Sequence, residues 1–212
     1  MKPIRIALTK GRLEKDTIAL LKNSGYDCSA IENKGRKLIL EVPDLNLEVV
    51  LAKAADVITY VEHGACDLGV VGKDTIMEYG GSFFEVLDLG FGKCKFAVAS
   101  KKGEDPYAGY GEITIATKYP NVTNAFFKAK DMDISIVKIE GSVELAPLIG
   151  LADAIVDIVE TGSTLKENGL EVIEDVAKIS ARLIVNGASL KLRKKEIENL
   201  ISIMEKSANK GE

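Results

Sequence analysis

Residues 151–170 read Leu151-Ala152-Asp153-Ala154-Ile155-Val156-Asp157-Ile158-Val159-Glu160-Thr161-Gly162-Ser163-Thr164-Leu165-Lys166-Glu167-Asn168-Gly169-Leu170, and the polarity switches sharply once within them. Residues 154–159 are short, rich in β-branched side chains and almost continuously apolar, which predicts a strand buried on both faces. Glu160-Thr161-Gly162-Ser163-Thr164 then sets three hydroxyls around one glycine. Residues 165–168 continue as a short helix that Gly169 stops. Such a strand, turn and helix start aims backbone N–H groups and a positive helix end at one anion. Asp153 and Asp157 are poor phosphate ligands, but they suit sugar hydroxyls or a magnesium-bound ligand. A phosphate cradle beside sugar-binding carboxylates is what a 5-phosphoribosyl group requires. The same pattern also describes a plain buried strand whose next helix is capped by Thr161 or Ser163. The rest of the chain separates the two.

Working outward, strands alternate with helices on both sides of this stretch. Upstream, 113–116 and 133–139 read as strands, with Pro120 in the first turn of a helix that runs through Phe126 and Phe127. Gly141 and Glu144 hold a partial capping-box spacing at another helix start. Downstream, 170–173 is a strand, 177–185 a strand pair, and 189–204 a helix with Ile197, Leu200, Ile201 and Met204 on one face. At the N-terminus, Ile4, Ile6 and Leu8 share a strand face, and a helix follows to Ser24-Gly25. Lys10-Gly11-Arg12 lies at that junction, and cations at a helix N-terminus oppose the macrodipole unless an anion answers them. A second basic turn, Asn33-Lys34-Gly35-Arg36-Lys37, leads into a hairpin over 38–51 with Pro43-Asp44-Leu45-Asn46 as its turn. Lys53 follows the hairpin, and a helix carries Ala54, Val57, Ile58 and Val61 to Gly64. Residues 67–72, 83–89 and 93–99 are further strands. Gly90-Phe91-Gly92 marks one crossing between lobes, and 177–185 the return. This rhythm predicts a parallel-rich α/β fold of two lobes, with ligands in a cleft at the strand ends.

Composition narrows the classes. The chain has 212 residues, 46% of them hydrophobic, no Trp, and a formal net charge of −4. That describes a mildly acidic globular protein with ample core, and it argues against non-specific nucleic-acid binding. Cys28, Cys66 and Cys94 are widely spaced and His63 is the one histidine, so no zinc pattern exists. Reduced, buried cysteines are expected, with a structural or surface role for His63. With neither a signal peptide nor a long apolar run, no membrane span is expected and the location is cytoplasmic.

The residues also carry a resemblance. TKGRL (9–13), GRKLIL (35–40), TYVEHGACDLGVVGKD (59–74), ATKYPNVT (116–123), EGSVELAPLIGLADAIVDIVETGSTLKENGL (140–170) and RLIVN (182–186) are similar, in order, to the ATP phosphoribosyltransferase family in its short catalytic-subunit form. The resemblance implies two α/β lobes resembling type II periplasmic binding proteins, with the active site in the inter-lobe cleft. Residues 1–91 with 179–212 would form the ATP and pyrophosphate lobe, and 92–178 the lobe for phosphoribosyl pyrophosphate (PRPP). It implies transfer of the 5-phosphoribosyl group of PRPP to N1 of ATP with Mg2+, releasing pyrophosphate, as the first step of histidine biosynthesis. Magnesium would come with the substrates rather than on protein ligands. Asp153, Asp157, Glu160, Thr161, Gly162, Ser163 and Thr164 are then the PRPP residues. Lys10, Arg12, Arg36 and Lys53 are the catalytic cations, and Lys10, Gly11 and Arg12 meet ATP. The short form also implies a homodimer within a hetero-oligomer, with a regulatory subunit resembling histidyl-tRNA synthetase.

Five positions depart from the common pattern. Lys53 stands where an arginine is usual, Ile58 where a proline is usual and Ser163 where many members have arginine, and Asn124-Ala125 replaces a basic pair. Lysine lacks the planar two-pronged contact of arginine. Two other classes share the α/β rhythm: a two-lobed module that closes on an anion without chemistry, and a phosphoribosyltransferase for another base. Acceptor comparison by pyrophosphate release separates all three.

Overall fold

The computed structural model describes residues 2–109 and 111–208, in two units: 1–92 with 180–212, and 93–179. The chain passes between them after Gly92 and after Ile179.

The first unit begins with β1 (Ile4–Thr9), then α1 (Arg12–Asn23) and one turn of helix, α2 (Ser29–Glu32). β2 (Ile39–Val42), a 3-10 turn at Pro43–Leu45 and β3 (Leu47–Ala52) form the expected hairpin. α3 (Ala54–Glu62), β4 (Leu68–Gly72), α4 (Lys73–Tyr79) and β5 (Phe84–Asp88) complete the outgoing half. β4 is buried along its whole length: Leu68 and Val70 face one core, and Val71 faces the other beneath α3. A Cβ on Gly69 would come within 2.8 Å of both Val57 and Val61, so the glycine is what lets α3 lie this close to the sheet.

The second unit holds β6 (Cys94–Lys101), β7 (Ile113–Thr117), α5 (Pro120–Lys128), β8 (Ile134–Lys138), α6 (Leu145–Leu148), β9 (Ala154–Val159), α7 (Ser163–Glu167) and β10 (Leu170–Ile179). Its sheet runs β10-β6-β9-β7-β8, with β7, β8 and β9 parallel and β6 antiparallel to both of its neighbours, β9 and β10. β9 lies at the centre with a core on each face. Ala154 and Val156 pack with Phe96 and Phe127, while Ile155 and Val159 pack with Leu165, Val143 and Ala146. The near-continuous apolar run is the direct cost of that two-sided burial.

Back in the first unit, β11 (Ala181–Val185) inserts between β4 and β5, giving the sheet order β2-β3-β1-β4-β11-β5. Parallel pairing in this sheet is confined to β1, β3 and β4, so both sheets are mixed. Two expectations are corrected here. Residues 177–179 belong to β10, a ten-residue strand with two register shifts, not to a pair with 181–185. The single C-terminal helix is two, α8 (Gly187–Leu192) and α9 (Lys194–Ala208). Arg193 breaks them because its guanidinium is committed elsewhere, donating to the carbonyls of Lys2 (2.6 Å) and Pro3 (2.9 Å) and pairing with Asp67 at 3.3 Å. Periodicity cannot register such a long-range tie.

Candidate active site

Three parallel strands of the first unit end together, and each is followed within three residues by a helix. Thr9 is opposite Ala52, and Lys10 N–H donates to the Ala52 carbonyl at 2.9 Å, which sets Lys10 beside Lys53. Leu51 N–H donates to the Leu38 carbonyl at 3.0 Å, bringing the basic turn before β2 to the same edge. Lys10, Gly11, Arg12, Arg36 and Lys53 therefore share the carboxyl edge of this sheet, all of them exposed. Gly11 caps α1 at φ 100° and ψ −128°, a conformation that L side chains avoid. Lys73 caps the neighbouring strand end but is paired with Glu85 at 2.5 Å.

In the second unit β9 delivers the hydroxyl turn as the sequence predicts. Gly162 is left-handed at φ 77° and caps α7, which is only five residues long. So short a helix adds little dipole, leaving its unsatisfied first N–H groups and the side chains of the turn to meet an anion. Thr161 Oγ1 and Ser163 Oγ lie 3.0 Å apart, and Ser163 N–H donates to Thr161 Oγ1 at 3.4 Å. Thr161, Ser163 and Thr164 are exposed, as is Glu160.

Asp157 projects from β9 on the face of Ile155 and Val159 and is half-buried. Burial pushes its carboxyl above the ordinary range, and the Glu144 carboxylate adds to the push; the Ile158 N–H and the Lys118 ammonium oppose both. Lys118 is next to Asp157 because Thr117 pairs with Val156 in parallel register, and the buried Thr117 hydroxyl donates to the Val156 carbonyl at 2.7 Å. Glu144 arrives through the packing of Val143 and Ala146 against Ile155 and Val159. Just before it, Ser142 is held at φ 49°.

Asp153 is the exception among the expected residues. It precedes β9, at the far end of the strand from the hydroxyl turn. Seven residues of extended chain put it roughly 23 Å from Glu160. Its carboxylate accepts Thr114 N–H at 2.8 Å, tying the start of β7 to β9. The carboxylate whose charge reaches Asp157 is that of Glu144. Sequence inspection had placed Glu144 only in a capping box, and Lys118 in no role. The usable signal was position: Lys118 follows one parallel strand, and the Glu140–Glu144 turn follows another.

His63 caps α3, its ring nitrogen 3.0 Å from the Thr59 carbonyl. None of Cys28, Cys66 and Cys94 is in a disulfide; the first two are buried, and burial pushes the Cys66 thiol up to about 11. Cys94 is only half-buried. Among the described residues, no group of three or more His, Cys, Asp or Glu gathers to hold a metal, and no helix is long and apolar enough to cross a membrane.

A family model described as HisG, ATP phosphoribosyltransferase, matches residues 53–206. The chain belongs to the ATP phosphoribosyltransferase family. With that membership goes its enzymatic activity, phosphoribosyl transfer to ATP at the first step of histidine biosynthesis. The ATP phosphoribosyltransferase of Clostridium kluyveri is 57% identical over 209 residues, covering 99% of this chain and 95% of the relative. That of Bacillus cereus strain G9842 is 55% identical over 211 residues, covering all of both chains. Among solved structures, the chain is similar to one from the ATP phosphoribosyl transferase (HisG:HisZ) complex of Thermotoga maritima. The TM-score is 0.82 at 32% identity, over 97% of this chain and 98% of that one.

Proposed function

We propose that the second unit binds PRPP and the first binds the triphosphate of ATP and the departing pyrophosphate. The observation that carries this reading is the hydroxyl turn at 160–164 beside Asp157 at the end of one buried strand. The 5-phosphate is assigned to Thr161, Gly162, Ser163 and Thr164, with Glu160 at the entrance to the turn. The ribose hydroxyls are assigned to Asp157 and Glu144, and Asp153 leaves the site for a structural role. Lys10, Gly11, Arg12, Arg36 and Lys53 are assigned to the phosphates of ATP and the leaving pyrophosphate.

The chemistry requires no covalent nucleophile on the protein. Adenine N1 brings its own lone pair and forms a bond to the ribose anomeric carbon. The bond from that carbon to pyrophosphate breaks, and its electron pair leaves with pyrophosphate. Alignment and charge stabilisation are what remain for the protein to supply. Half-buried carboxylates near the ribose favour the developing cation, and the cationic turns favour the leaving group. Magnesium would come with the substrates and would offset the charge of the departing pyrophosphate. No protein ligand is assigned to the ion, and Asp157 and Glu144 are kept for the ribose hydroxyls.

We further propose that the chain is cytoplasmic and works as a homodimer within a hetero-oligomer, with a HisZ-like regulatory subunit resembling histidyl-tRNA synthetase. The likeness to a chain of a HisG:HisZ complex supports this. Adding such a subunit is expected to raise the activity of the purified chain, and the chain alone is expected to resist inhibition by histidine. The test of the reaction is pyrophosphate release from PRPP with ATP against free adenine, guanine and uracil as acceptors. Release with a free base and none with ATP removes the proposal.

A further inference from the structure

We propose that Glu14 is a positioning residue that fastens the Lys10–Gly11–Arg12 turn to the Lys34–Gly35–Arg36 turn, making one anion site of two. The inference rests on the assignment of those turns to the phosphates of ATP. Glu14 lies in the first turn of α1 and is only 6% exposed, although it is a carboxylate. A buried charge persists only where partners answer it. Oε2 accepts Gly11 N–H at 3.3 Å, and Oε1 pairs with the Lys34 ammonium. One partner is the backbone of the first cationic turn; the other opens the second.

That second turn is tight. Lys37 N–H donates to the Lys34 carbonyl at 3.0 Å, and Gly35 is left-handed at φ 55°. Holding the Lys34 ammonium therefore fixes where Arg36, two residues on and exposed, leaves the backbone. The molecule supplies its own control. Lys22 pairs with Glu32 at 2.8 Å and ties α1 to α2, but both side chains are about half exposed. Lys22 lies about 12 Å further along α1 from Glu14, so the pair holds α2 alone, although Glu32 is only two residues before Lys34.

The test is the initial rate of pyrophosphate release by the full-length chain, with the KM of each substrate measured separately. Glu14→Gln keeps an acceptor for Gly11 N–H and removes the charge facing Lys34. It is expected to raise the KM for ATP about tenfold, the worth of one charged hydrogen bond, while the KM for PRPP stays put. Lys34→Gln must reproduce that split, read on protein that a thermal melt shows to be folded at the assay temperature, because the Glu14 carboxylate is left buried without its cation. Lys22→Gln must not. In an Arg36→Ala background, Glu14→Gln should add little, because the side chain it positions is already gone. A wild-type KM for ATP in Glu14→Gln and Lys34→Gln overturns the inference, as does an equal loss for both substrates. If Arg12→Ala and Arg36→Ala themselves keep wild-type kcat/KM, the assignment of the turns falls and the inference with it. If those two are impaired and Glu14→Gln is not, the inference alone falls.

Discussion

The turns at Lys10–Arg12 and Glu160–Thr164 share one backbone plan and differ in the side chains they offer a ligand. Each leaves a parallel strand inside its sheet, passes through a glycine at positive φ and starts a helix. The first offers two cations and no hydroxyl; the second offers three hydroxyls and no cation, with Asp157 and Glu144 beside it. A strand-to-helix turn provides N–H groups for any anion, so the side chains decide which anion is held. Cations suit a polyphosphate whose charge grows as a bond breaks. Hydroxyls suit a phosphate monoester that stays chemically idle while the sugar it carries reacts, and they spare the neighbouring carboxylates a competing ion pair.

The sharpest way to break this contrast is Asp157→Asn. It is expected to lower kcat/KM for PRPP roughly 10- to 150-fold, the range for a hydrogen bond to a charged group. The same substitution is expected to stabilise the fold at pH 7. The Asp157 carboxyl is held above its ordinary value of 3.8, so the folded chain binds this proton more tightly than the unfolded one. Below that value both states are protonated and nothing is lost. As pH rises from there through the folded pKa, stability falls, and the whole penalty is present at neutral pH. The variant should therefore melt above wild type at pH 7, by the equivalent of about 1 kcal/mol, and the gap should close below pH 4. A variant that melts lower at pH 7 would place Asp157 in the framework rather than the site.

Arg12→Lys tests whether the first turn needs a fork or only charge. A loss of about tenfold in kcat/KM for ATP, with PRPP unaffected, is expected from the missing two-pronged contact. Unchanged kinetics would make the turn a general electrostatic patch.

The two glycines rank next. Gly11→Ala forces an L side chain to φ 100°, ψ −128° and should cost about 1–3 kcal/mol. Gly162→Ala needs only the left-handed region, at about 1 kcal/mol, and its Cβ would meet Val159 at an ordinary 3.8 Å. Thermal melts should put Gly11→Ala below Gly162→Ala, and the reverse order would contradict the geometry of the first turn. Ser163→Ala, which removes one of three hydroxyls from a charged phosphate, should raise the KM for PRPP by no more than about tenfold.

Much of this molecule was legible in its residues taken in line. An apolar run bounded by a glycine-marked turn announced β9 and the junction after it, because burial on both faces and positive φ leave direct marks on residue choice. The cationic junction after β1 was legible for the same reason. What the line could not convey is direction and distance. Asp153 and Asp157 are four residues apart and look alike, yet a strand sends one to each end of the sheet. Lys118 and Glu144 are separated from Asp157 in sequence; parallel register brings the first to it, and the packing of Val143 and Ala146 against β9 brings the second. Arg193 ends a helix that periodicity would continue, because its partners, Lys2, Pro3 and Asp67, lie at the other end of the chain. Local chemistry, set by each residue and its near neighbours, was written in the sequence. Convergence, which depends on strand order and register, belonged to the tertiary structure alone.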